Sequence, residues 1–142
     1  MEEEKVEQET SFEEVEEVVA YEAVAKLRNC PLSPRKMRLI IDLIRNQDVN
    51  SAIMTLKYHP KKMYARYIEK LLFSAIANWN NKFGEEIDVE DVTLHILKAQ
   101  VDGGRQLKRI RPAPQGRAHR IRKRSNHVTI VVGLKEENKK EL

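Results

Sequence analysis

The chain has 142 residues, with 26 Lys and Arg against 22 Asp and Glu and a formal net charge of +4, long enough for one domain with a real core. Cys30 is the only cysteine, which excludes a disulfide framework or a metal knuckle and points to a reducing cytoplasm. No apolar run reaches the ~18–20 residues of a membrane span, and the acidic N-terminus lacks both the basic and the apolar part of a secretory signal.

The small net charge hides an asymmetry. Residues 1–22 hold ten Glu and one Lys, a charge of −9, while residues 23–142 hold twenty-five Lys and Arg against twelve Asp and Glu, a charge of +13. Residues 1–20 are low-complexity and Glu-rich; like charge with few large apolar groups supports no core, so they read as a disordered extension. From Tyr21 to Asn29, Ala23, Ala25 and Leu27 alternate and suggest a short strand.

Ser33-Pro34 then reads as a helix start, Ser at the cap and Pro in the first helical position. Met37, Ile40, Ile41 and Ile44 follow at helical spacing, with Leu43 beside them. Asn50-Ser51 opens a second short helix carrying Ala52, Ile53 and Leu56. His59-Pro60 opens a third and longest one. There Met63, Tyr64, Tyr67, Ile68, Leu71, Leu72, Ala75, Ile76 and Trp79 form a doubled apolar stripe with a period of about 3.6, read as core. Trp79 is expected to pack inside with its N–H satisfied at the periphery. Gly84 stands where a helix C-terminus takes a residue at positive φ.

After the acidic stretch EEIDVED, a strand runs from Val92 to Val101. Val92, Leu94 and Ile96 share one parity, then Leu97, Ala99 and Val101 take the other, so a bulge is expected near Ile96–Leu97. A closing strand from Val128 to Leu134 puts Val128, Ile130 and Val132 on one face, and residues 135–142 form a charged tail. Residues 21–134 thus read as one domain of three helices and short strands, with a long protruding basic β-hairpin over about 98–127.

That hairpin is the most informative segment. Residues 105–124 read RQLKRIRPAPQGRAHRIRKR, with nine Lys or Arg and no Asp or Glu. Arg105, Lys108, Arg109 and Arg111 lie before the tip; Arg117, Arg120, Arg122, Lys123 and Arg124 follow it. Val101 to Pro112 is about a dozen residues, or roughly 40 Å of reach at ~3.3 Å each. Two-stranded ribbons are marginal in water, and like charges across one weaken it further. Only Leu107, Ile110 and Ile121 offer apolar surface, so the arm is expected to be ordered by a polyanion. Arg outnumbers Lys seven to two, and its planar fork grips phosphate bidentately and stacks on bases, which suits folded RNA. Pro112, Pro114 and Gly116 make a slim, stiff tip. A second basic surface lies at the first helix, with Arg28, Ser33, Arg35, Lys36 and Arg38. Lys61 and Lys62 open the third helix, where backbone N–H groups favour phosphate. With the arm, these suggest one continuous footprint.

The runs SPRKMRLIIDLIR, LLFSAIAN and LKRIRPAPQGRAHRIRKRSNHVTIVV closely resemble the family of the twenty-second protein of the bacterial large ribosomal subunit, over residues 23 to about 134. The resemblance implies an α+β fold, three helices packed on a small antiparallel sheet, and a structural constituent of that subunit, located in the cytoplasm on the ribosome. It would bind 23S rRNA, assist assembly and contact neighbouring large-subunit proteins. Arg105–Arg111 and Arg120–Arg124 would lie against rRNA. The tip, Pro112, Ala113, Pro114, Gln115, Gly116, Arg117 and Ala118, would line the exit tunnel, with Gly116 and Arg117 nearest the nascent polypeptide. Family tips often carry basic residues between the proline and the glycine, where this chain has Ala113, Pro114 and Gln115.

Two other classes compete. An architectural DNA-binding protein also uses basic β-arms tipped with proline, but such arms work in dimers, and no further apolar face here serves an obligate homo-oligomer. An enzyme would need a constellation. His59, His95, His119 and His127 are scattered without a nucleophile or metal-ligand spacing, and no phosphate-binding loop or cofactor motif is present. His95, among alternating core residues, reads as a satisfied strand histidine. The expectation is no enzyme, no cofactor and no membrane partner.

Overall fold

A computed structural model describes residues 21–84 and 93–134. The elements run β1 (Glu22–Cys30), α1 (Pro34–Ile44), α2 (Val49–Tyr58), α3 (Lys62–Phe83), β2 (His95–Pro112) and β3 (Ala118–Gly133). The acidic extension, the EEIDVED stretch with Val92, and the charged tail lie outside the described residues.

The three strands form one antiparallel sheet in the order β1-β3-β2. Strand β3 is central because its even positions, Val128, Ile130 and Val132, are all apolar and fully buried. They pair with Leu27, Ala25 and Ala23 of β1 on one side and Val101, Ala99 and Ile96 of β2 on the other. The expected bulge is present: the register slips between Ile96 and Lys98, so Leu97 is the extra residue and Ala99 and Val101 return to the core face.

Helix α1 buries Met37, Ile40, Ile41 and Ile44, and α3 buries Ala65, Ile68, Leu71, Leu72, Ala75 and Trp79. Fully burying each of the larger side chains contributes about 1.5–3 kcal/mol. Trp79 is enclosed, and its indole N–H donates to the Tyr21 carbonyl at 3.2 Å, which ties α3 to the start of β1. Phe83 packs edge-on against Tyr21 at 5.2 Å. The α+β architecture read from the sequence is the one observed.

An open edge on β2 would invite another strand. Here α1 and the chain after it cover that edge. Arg38 Nε donates to the Val101 carbonyl at 3.2 Å, and Arg45 Nη2 to the Ala99 carbonyl at 3.1 Å. Arg45 is itself held by Asp42 at 3.0 Å. Asn46 N–H donates to Ile96 O at 3.2 Å, Ile96 N–H to Gln47 O at 3.0 Å, and Val49 N–H to Leu94 O at 2.9 Å. His95 Nδ1 lies 2.8 Å from Asp48 Oδ1, so the strand histidine has its partner.

Several boundaries depart from the sequence reading. Helix α2 starts at Val49 with Asp48 at its cap, not at Asn50-Ser51, because Val49 is buried and its N–H is taken by the Leu94 carbonyl just before β2. Helix α3 starts at Lys62: Pro60 forces His59 into an extended conformation (ψ 134°), so the chain turns before it coils. Ser33 caps α1 by backbone conformation alone and makes no side-chain capping bond. Gly84 sits at φ −68°, not at positive φ. It is glycine for space, since a Cβ there would meet the Asn80 carbonyl oxygen at 2.5 Å. Met63 and Tyr67, assigned to the apolar stripe of α3, are exposed, as is Leu43 beside the stripe of α1.

Candidate nucleic-acid interface

Beyond the sheet, β2 and β3 continue as a ribbon that carries the basic residues away from the core. A second bulge between Gly103 and Gln106 marks where it leaves the body. Gly104 is needed there, because a Cβ would meet Ser125 Oγ at 2.6 Å, and Ser125 is engaged in donating to the Arg105 carbonyl at 2.6 Å. From Arg105 to Arg124 every residue is exposed except Ala113 and Ile121, which are half-buried.

The register sets where each charge points. Pairs run Gln106↔Arg124, Leu107↔Lys123, Lys108↔Arg122, Arg109↔Ile121, Ile110↔Arg120, Arg111↔His119 and Pro112↔Ala118. Only Lys108 and Arg122 oppose like charge directly; Arg109 and Arg120 each face an isoleucine, which relieves repulsion that a different register would impose. Side chains alternate, so Lys108, Arg120, Arg122 and Arg124 share one face while Arg109, Arg111 and Lys123 share the other. Cations therefore clothe both sides. The described ion pairs, Arg45 with Asp42 and His95 with Asp48, include no arm residue.

At the tip, Arg117 N–H donates to the Pro114 carbonyl at 3.4 Å and Ala113 N–H to the Arg117 carbonyl at 2.9 Å. Gln115 and Gly116 lie at φ 63° and 70°, the positive-φ pair that tight hairpin turns require. Proline at position 114 costs no hydrogen bond, because Ala113 makes the pairing that a residue-114 N–H would have offered.

At the base, the ribbon and the start of α1 enclose a groove of about 890 Å³. Its lining brings Ser33 and Lys36 together with Arg105, Arg122, Lys123 and Arg124, residues up to about ninety positions apart in the chain, and no acidic residue. Ser33, which makes no side-chain capping bond, lines the groove at the N-terminus of α1, a favourable place for an anion. Asn126, fully buried, holds this corner: its Nδ2 donates to the Leu32 carbonyl at 2.8 Å and fixes the loop that leads into α1. Asn29, at φ 55°, donates its N–H to His127 Nδ1 at 3.0 Å.

The predicted footprint is thus divided. Arm and α1 residues converge, whereas Arg28 lines a separate recess with Lys26 and His127, and Lys61 and Lys62 lie at the start of α3, outside the groove. Arg35 is exposed on the first turn of α1. Arg38 spends its Nε on the β2 edge. Sequence reasoning missed the structural work of Asn126 and Arg45. Asn126 shares the parity of Val128, Ile130 and Val132, a signal that it faces inward. Among the described residues there is no group of three or more His, Cys, Asp or Glu able to hold a metal ion. No described helix is long and apolar enough to cross a membrane.

Among known families, the chain matches the one described as Ribosomal protein L22p/L17e over residues 25–133. It is 55% identical to the large ribosomal subunit protein uL22 of Christiangramia forsetii over 121 residues, covering 85% of this chain and 88% of that protein. The protein of the same name from Flavobacterium johnsoniae is 59% identical over 111 residues, 78% of this chain and 80% of that one. That of Bacteroides fragilis is 58% identical over 114 residues, 80% and 82% of the two chains.

Proposed function

The chain belongs to the Ribosomal protein L22p/L17e family, a structural ribosomal protein and not an enzyme, and from that premise we propose that its arm is threaded through large-subunit rRNA with the tip at the wall of the exit tunnel. Its compartment is the cytoplasm, where the ribosomes of its bacterial relatives reside. The observation that carries the proposal is the distribution of charge along the ribbon. Seven paired-strand cations divide between two faces, with no acid among them. A surface binder concentrates its charge on one face; a ribbon charged all round suits a channel lined with phosphate on every side.

The parts have separate roles. Arg109, Arg111, Arg120, Arg122 and Arg124 grip phosphates along the shaft, and Lys108 and Lys123 add point charges. The groove at the base receives a backbone turn between Lys36 and Arg105, with Ser33 supplying a hydroxyl and the α1 N-terminus its N–H groups. The slim tip from Pro112 to Ala118 meets the nascent polypeptide, and assembly is assisted because arm and RNA order one another. Neighbouring large-subunit proteins abut the body.

The test is reconstitution of the full chain into large subunits with a photocrosslinking residue in place of Gln115. Crosslinks from that position to 23S rRNA of the tunnel wall and to a nascent chain are expected. Crosslinks only to the outer surface of the subunit overturn the proposal, and tighter binding to duplex DNA than to rRNA favours the architectural alternative.

A further inference from the structure

Away from the arm, the junction of α2 and α3 leaves large apolar side chains in water. Tyr58 is 78% exposed, Met63 67% and Tyr67 41%. The inward positions of this part of α3 are taken by Ala65, Ile68 and Leu72, so the core does not require Met63 or Tyr67. Those two, one helical turn apart, line a shallow recess with Arg66 and Lys70. Lys57, Lys61 and Lys62 stand close by in sequence, and between Lys57 and Lys70 the only acid is Glu69, which is half-buried. The turn itself is fixed: His59 N–H donates to Leu56 O at 3.3 Å, and Lys61 N–H to His59 Nδ1 at 3.0 Å.

Single exposed apolar residues need no explanation. A tyrosine and a methionine that line a recess with Arg66 and Lys70, and a second exposed tyrosine at the end of the preceding helix, are a different matter. An exposed aromatic face takes a nucleobase by stacking, and neighbouring Lys and Arg neutralise the flanking phosphates. An apolar protein surface would satisfy the rings but leave five cations unmet; one RNA strand satisfies both.

We infer that the α2–α3 junction is a second RNA site, which stacks an unpaired base on Tyr58 or Tyr67 and holds the adjoining phosphates with Lys61, Lys62, Arg66 and Lys70. The inference rests on the rRNA-binding reading above and adds to it a single-stranded segment separate from the RNA around the arm.

Two probes of equal charge test it with the full-length protein: an oligoadenylate of about ten nucleotides and an abasic phosphodiester of the same length. The wild type is expected to prefer the oligoadenylate. Tyr58→Ala with Tyr67→Ala should reduce that preference about fivefold or more, while Tyr58→Phe with Tyr67→Phe should retain it. Arg109→Ala with Arg122→Ala should weaken both probes alike and leave the preference intact. A base preference that survives the alanine pair overturns the inference, as does equal loss of both probes in that pair, which would mean contact with phosphate alone. The arm reading fails separately, if the arginine pair leaves both affinities unchanged.

Discussion

The two faces of the arm give the sharpest quantitative expectation. Lys108, Arg120, Arg122 and Arg124 project from one side of the ribbon and Arg109, Arg111 and Lys123 from the other. Replacing each set by Gln yields a four-residue and a three-residue variant that strip opposite sides of the ribbon. If every one of these groups neutralises a phosphate, each contributes about 0.7–0.9 to the slope of log affinity against log salt. The four-residue variant should then flatten the slope by roughly 3–3.5 and the three-residue variant by roughly 2–2.5. Between about 50 and 200 mM salt, three lost contacts correspond to about a twenty- to fortyfold smaller fall in affinity. Fluorescence anisotropy with a large-subunit rRNA fragment across that range measures both slopes. A ribbon lying on the RNA surface would show the loss in one variant and a wild-type slope in the other. That outcome would refute the argument for threading. Neither variant should destabilise the free protein, since stripping the first face also removes the repulsion between Lys108 and Arg122.

Three further expectations concern the free molecule. Amides between Arg105 and Arg124 should exchange rapidly in the absence of RNA and those of β3 from Val128 to Val132 slowly, because the ribbon has no core and the central strand does; protection along the whole arm would contradict its need for a partner. Asn126→Ala removes the 2.8 Å bond to Leu32 and strands that carbonyl, so urea unfolding should show a loss of about 1–3 kcal/mol; a variant as stable as wild type would mean the loop is held otherwise. Burial pushes the Cys30 thiol above its ordinary value of 9.0, against a smaller lowering from the Leu32 backbone hydrogen bond. The folded chain therefore keeps this proton more tightly than the unfolded chain. Its contribution to stability is complete below the unfolded value and is lost as pH rises through the native one. Iodoacetamide labelling near pH 9, where a free thiol is about half ionised, should be markedly slower in the native protein than in urea; equal rates would exclude the buried, protonated thiol.

The helices of the body were legible from apolar spacing. Met37, Ile40, Ile41 and Ile44 share one face of α1 at helical spacing, and the change of parity at Leu97 announced its bulge. Tyr67 was not legible, because its spacing from Leu71 and Ile68 is that of a core residue and only the crowding of β1 and α2 around α3 determines which part of a wide apolar stripe is covered. Nor did Arg38 declare itself. An arginine in a basic helix start gives no local sign that its Nε meets the Val101 carbonyl on the strand edge beside it. The positive φ expected at Gly84 rested on a general habit of helix ends, whereas the observed constraint is a close carbonyl.

By itself, the amino-acid order determined that a strongly basic ribbon without acids must project from an α+β body and seek a polyanion. Charge and hydrophobic period are properties of the chain, present before it folds. The fold decided which cations share a face, which of them meet α1 in one groove and which are occupied by the sheet edge. Those outcomes depend on strand register and on contacts between residues distant in sequence, such as Asn126 with Leu32, and no local pattern encodes such distances.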